Sequence, residues 1–167
     1  LKTSKLASVR IVEQNGIWAR LEKPRPKNID TWTHFRHGPN GNPVSQDQVI
    51  QVPSGVQWMA GPQWPTGHRK QAVPTVVVSE KRLIYVFQDE VNNSGKATKQ
   101  DSLIVRDAFN GLPLWKREAP SKYLVADRDI FFTADQRGTL SALDADTGEP
   151  VTGFQPPRAI KVHGLMV

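Results

Sequence analysis

Leu103-Ile104-Val105-Arg106-Asp107-Ala108-Phe109-Asn110-Gly111-Leu112-Pro113-Leu114-Trp115 is the stretch that decides the fold. It reads as an apolar strand, a tight turn over Asp107 to Gly111, and a second strand that ends in a large aromatic. The turn has a physical rationale. The Asp107 carboxylate can accept backbone N–H bonds across the bend, and Gly111 can take a positive φ without the steric penalty of a Cβ. Together they specify a hairpin.

The pattern returns as Leu140-Ser141-Ala142-Leu143-Asp144-Ala145-Asp146-Thr147-Gly148-Glu149-Pro150-Val151. Asp107 to Asp144 and Gly111 to Gly148 are the same distance apart, roughly 37 residues, which is the kind of period that marks a propeller or solenoid. Each such repeat is one unit that cannot bury its own faces.

The string Asp-Ala-x-(Asn/Thr)-Gly followed by a strand and, in the first copy, Trp115 resembles the PQQ-like β-propeller repeat. That repeat occurs in quinoprotein alcohol dehydrogenases and in non-catalytic propellers such as the outer-membrane assembly lipoprotein. The wording around Asp107 is also similar to large PQQ-like repeat proteins of planctomycete-type bacteria. The resemblance implies that Trp115 docks between neighbouring blades. In the second copy Thr152 stands at that place, and Phe154 is the nearest aromatic able to substitute. What matches is blade scaffold: Asp107, Gly111, Trp115, Asp144 and Gly148.

The expected fold is therefore all-β, a partial propeller of four-stranded antiparallel blades. The first blade is expected as Thr75 to Ser79, Leu83 to Phe87, Leu103 to Arg106 and Leu112 to Lys116. The second is expected near Tyr123 to Ala126, Ile130 to Thr133, Thr139 to Leu143 and Glu149 to Phe154. Ala159 to Val167 would open a third. Strands such as Thr75-Val76-Val77-Val78-Ser79 lack the alternation of a half-wet sheet, as expected for strands sandwiched between blades. Gln88 to Lys99, with Asn92-Asn93-Ser94-Gly95, reads as a polar insertion in a loop. Helix signals are weak throughout.

Ahead of the blades, residues 1–27 read as a hairpin and a Pro-rich linker. Asn15-Gly16 separates Val9 to Glu13 from Ile17 to Glu22, the strongest short-range hairpin signal. Ile17, Ala19 and Leu21 should share one face, with Trp18, Arg20 and Glu22 on the other. Residues 28–73 form a Trp-, Gly- and Pro-rich segment leading into the propeller. Within it, Asp30 to His37 reads as extended, Gly38 to Asn42 as a turn and Gly55 to Trp58 as a short strand. Residues 74–167 hold the blades.

A propeller usually needs four to eight blades of roughly 40 to 45 residues each, so these 167 residues are too few to close most such rings, and the chain is expected to be a piece of a longer protein or an incomplete ring. No signal peptide and no apolar run long enough to span a membrane is visible. Cysteine is absent, which excludes disulfides and thiolate metal sites within these residues. The net charge of +6 lies wholly in residues 1–73, with ten Lys/Arg against four Asp/Glu. These charges are scattered rather than gathered into a stripe, so nucleic acid is not an expected partner.

No catalytic, cofactor-binding or metal-binding residue is assigned. His34 and His37 would point to opposite faces of a strand, and neither His68 nor His163 lies at a ligand spacing. Asp89 and Glu90, or Asp127, Asp129 and Asp135, match no calcium loop. The resemblance leaves two functional readings. The first is a non-catalytic scaffold or binding module of a larger extracytoplasmic bacterial protein, its partners being the remaining blades or another protein surface. The alternative is a quinoprotein oxidoreductase with PQQ and calcium held in other blades, since the family's cofactor residues cannot be matched here. A third reading is a carbohydrate or polymer binder that uses Trp18, Trp32, Trp58 or Trp64 as exposed stacking platforms.

Overall fold

A computed structural model describes residues 8–22, 24–49, 52, 55–60, 73–93, 96–121, 123–135 and 137–157. Among them the chain is all-β, with no helix and with three antiparallel sheets of two to four strands. Residues 159–167, expected to open a further strand, lie outside the described residues, as do Trp64, His68 and His163. The chain divides into two units: Leu1–Asp30 with Gln46–Val52, and Thr31–Ser45 with Pro53–Val167.

In the first unit β1 (Ser8–Glu13) pairs with β2 (Ile17–Glu22), with Glu13 opposite Ile17. The connection therefore has three residues, Gln14, Asn15 and Gly16, rather than the two of a type I′ turn. Asn15 and Gly16 both take positive φ, 51° and 138°, and the Gln14 N–H donates to the Gly16 carbonyl at 3.0 Å. Register places Ile11 opposite Ala19, on the face that Ile17 and Leu21 share. Ile11, Ile17 and Leu21 are all exposed. Farther along, residues 46–48 are tied back to residues 28–30. The Gln46 N–H donates to the Asp30 carboxylate at 2.7 Å and the Gln48 N–H to the Asn28 carbonyl at 3.1 Å.

The second unit carries the larger sheets. β3 (Thr75–Ser79), β4 (Arg82–Asn93), β5 (Lys96–Asp107) and β6 (Pro113–Glu118) form a meander in sequence order. β7 (Leu124–Asp127), β8 (Ile130–Ala134) and β9 (Leu140–Asp144) form a second, three-stranded meander. The expected fourth strand of that sheet, Glu149 to Phe154, is reduced to a single bridge between Leu143 and Pro150. Pro150 is not the obstacle, since Pro113 stands at the same place in the first sheet and opens β6; the chain instead turns away at Gly153, φ 84°.

The two sheets of this unit share one core. Val77, Ile84, Val86, Leu103 and Val105 from the first pack with Leu124, Ala126, Phe131 and Leu143 from the second, all at most 5 % exposed. The alternate residues Tyr85, Phe87 and Ile104 are buried on the opposite face of the first sheet. This two-sided burial accounts for the apolar runs Ile84 to Phe87 and Leu103 to Val105, because period-two strands bury every residue only when both faces are covered. Thr75–Ser79, expected to be buried on both faces, instead alternates, with Val76 exposed and Val77 buried. Burying each such aliphatic side chain contributes about 1.5 to 3 kcal/mol.

The segment Gln88 to Lys99 is not a loop. β4 and β5 stay paired in continuous register from Arg82 opposite Asp107 out to Asn93 opposite Lys96. β3 accompanies them only to Val86 and β6 only to Ser102. The outer part of the β4–β5 hairpin is therefore a two-stranded arm that extends past its sheet.

Candidate functional site

The turn that opened the sequence reading is built as its residues require, twice. In the first copy the Asp107 Oδ1 accepts the N–H groups of Phe109 and Asn110 at 2.9 and 3.0 Å. In the second, the Asp144 Oδ1 accepts those of Asp146 and Thr147 at 2.9 and 2.8 Å, and the Thr147 hydroxyl at 2.9 Å. The bond from the Thr147 backbone, then that from its hydroxyl, holds the Asp144 carboxyl below the usual range, because both favour the ionised form. Gly111 and Gly148 close the two turns at φ 73° and 76°. Their N–H groups donate to the Asp107 and Asp144 carbonyls at 2.9 and 2.8 Å.

Each turn receives an indole. The Trp58 Nε1–H donates to the Ala108 carbonyl at 3.2 Å, and the Trp115 Nε1–H donates to the Ala145 carbonyl at 3.1 Å. Both rings lie where a side chain on the turn glycine would stand. A methyl group on Gly111 would fall 2.5 Å from the Trp58 ring, and one on Gly148 would fall 3.1 Å from that of Trp115. Glycine is thus required twice over at each position, by its φ and by the ring packed on it.

The strand geometry that aims Trp115 is specific. The β5–β6 pairing shifts between Val105 and Arg106, so that Val105 faces Trp115 while Arg106 faces Pro113. A bulge of this kind re-aims a side chain, and here it sets Trp115 on the face that Val105 shares with the second sheet. The indole stacks on Phe131, with centroids 6.0 Å apart and planes 26° apart. Arg117 covers it, the guanidinium carbon 5.1 Å from the ring centroid, and donates from Nη1 to the Gly148 carbonyl at 2.7 Å. Burial lowers the pKa of that guanidinium, and the charge of Glu149 offsets part of the effect. Arg82, at the start of β4, forms an ion pair with Asp146 in the second turn.

The first dock uses other neighbours. The Gln57 side chain donates to the Phe109 carbonyl at 2.8 Å, and Arg106 donates to the Gly111 carbonyl at 2.8 Å and to the Tyr85 hydroxyl at 3.0 Å. Trp58 is half-buried, so it is not the exposed stacking platform expected of it; its N–H is spent on Ala108 and one stretch of its ring rests on Gly111. Gly55 to Trp58, expected as a short strand, forms no ladder and is held by these side-chain contacts instead. The equivalence of Trp58 to Trp115 is invisible to a period search, because the two indoles are not separated by the spacing of the turns they dock on.

The other tryptophans serve different ends. Trp32 is half-buried and pairs with Val78 through two backbone bonds, Trp32 N–H to Val78 O at 2.8 Å and the reverse at 2.7 Å. Its ring meets His37 edge-on, with centroids 5.1 Å apart. Trp18, in the first unit, is 64 % exposed and donates its N–H to the Gln14 carbonyl at 3.0 Å. The described indoles do not gather on one surface of a single unit.

His34 and His37 do not lie along one extended strand. They close a tight turn, the His34 N–H donating to the His37 carbonyl at 3.2 Å, and His37 sits at φ 71°. The His34 Nδ1 is 2.8 Å from the Thr33 hydroxyl. Among the described residues no three His, Asp or Glu side chains are grouped closely enough to hold a metal ion.

Both docks rest on an indole N–H donated to a main-chain carbonyl and a ring packed on the turn glycine, and that of Trp115 adds aromatic stacking on Phe131. The second dock joins one antiparallel meander to the turn of another, while the first joins the irregular segment around Trp58 to the turn of the first sheet. No protein-family model matches the chain, and no curated protein matches it.

Proposed function

We propose that this chain is part of a PQQ-like β-propeller serving as a non-catalytic scaffold or binding module of a larger extracytoplasmic bacterial protein. On this reading the two larger sheets are neighbouring blades, and their partners are the remaining blades or another protein surface. One observation carries the proposal: the same dock occurs twice, Trp58 on Ala108 and Gly111, then Trp115 on Ala145 and Gly148. A repeated turn that takes an indole from the preceding element is what the family resemblance implies for blade-to-blade joins. The shared core between the two sheets supports the same reading.

The test is a thermal melt of the full-length protein with and without PQQ and calcium. A ligand that binds only the native state must raise the midpoint. The scaffold reading expects no shift. An upward shift that requires both would replace it with a quinoprotein oxidoreductase whose cofactor residues lie in other blades. An experimental structure of the full-length protein, with the far face of the second sheet against something other than a further meander, would sink the propeller itself.

The exposure of Trp18 favours one subsidiary reading, in which a glycan stacks on that indole. Quenching of tryptophan fluorescence by polysaccharide, lost in Trp18→Ala, would support it; quenching that survives the substitution would end it.

A further inference from the structure

We draw no further inference here: the strongest candidate, the apolar face of the β1–β2 hairpin that carries Ile11, Ile17 and Leu21, is an unpartnered sheet face, and nothing in the structure shows what covers it.

Discussion

The first and second sheets of the larger unit differ in nearly everything except their docks. The first has four strands and a long arm; the second has three strands and a lone bridge. Yet the turn, the glycine at positive φ and the indole bonded to an alanine carbonyl are reproduced almost atom for atom. The β3–β4 and β7–β8 turns agree as well. Ala108 donates to the Lys81 carbonyl and Ala145 to the Asp129 carbonyl, both at 2.8 Å, and Glu80 and Arg128 take φ 50° and 52°. In a meander these turns all lie at one end of the sheets. That end is therefore held to a common geometry, while the other end varies in length.

The most damaging way to break the comparison is to remove the indole that stacks on Phe131 and packs against the shared core. Trp115→Ala should cost the full-length protein about 3 to 5 kcal/mol, since it empties the space against Phe131 and Gly148 and leaves the Ala145 carbonyl without its donor. Trp58→Ala should cost less, because among the described residues that ring is not stacked on a second aromatic. Equal losses in chemical denaturation would show the two docks to be energetically alike despite their surroundings.

The glycines sharpen the contrast in the opposite order. Gly111→Ala combines a strained φ with a methyl pushed into the Trp58 ring and should cost roughly 2 to 5 kcal/mol. Gly148→Ala meets its ring at a longer distance and should cost roughly 1 to 3 kcal/mol. A reversed order in urea midpoints would mean that the Trp58 segment yields more readily than the Trp115 strand.

Much of this was legible in the residues, and the parts that were not have physical reasons. Asp107, Gly111, Asp144 and Gly148 announced both turns because turn chemistry is local. The bounds of Thr75–Ser79 are readable because four successive β-favouring residues, Thr75 to Val78, run through Ser79 into a turn. The arm reads as a loop because its polar composition carries no burial signal, although its pairing is a local continuation of the β4–β5 hairpin, closing at Asn93 opposite Lys96. The docking role of Trp58 was missed because it is set by tertiary packing onto a turn some fifty residues later. The last strand of the second sheet stops after the Leu143–Pro150 bridge, where the chain turns at Gly153, although Pro113 at the place equivalent to Pro150 opens a full strand.

Smaller effects test the turns and the arm. Asp144→Asn should cost on the order of 1 kcal/mol or less, since the site is largely exposed and the amide oxygen can still accept. Its clearer signature is in pH. The folded-state pKa of Asp144 is depressed, so its contribution is present above the unfolded carboxyl value of about 4 and is lost as pH falls through the lower folded value. Acid denaturation followed from pH 5 downward should be less steep in the variant; an unchanged profile would remove Asp144 from the acid response. Smallest of all should be replacement of residues 89–100 by an Asn-Gly turn. It leaves the shared core intact and should move the melting midpoint by no more than a few degrees, whereas a large drop would make the arm part of the folded core.

Trp32 and Thr33 have a bearing on solubility. Thr75-Val76-Val77-Val78-Ser79 is an outermost strand of its sheet and is rich in β-branched residues, the composition from which cross-β aggregates grow. Trp32 occupies Val78 on that strand, and the Thr33 carbonyl next to it takes the N–H of Ala126 on the outermost strand of the other sheet. Two consecutive residues of irregular chain thus blunt two templates for intermolecular strand addition at once.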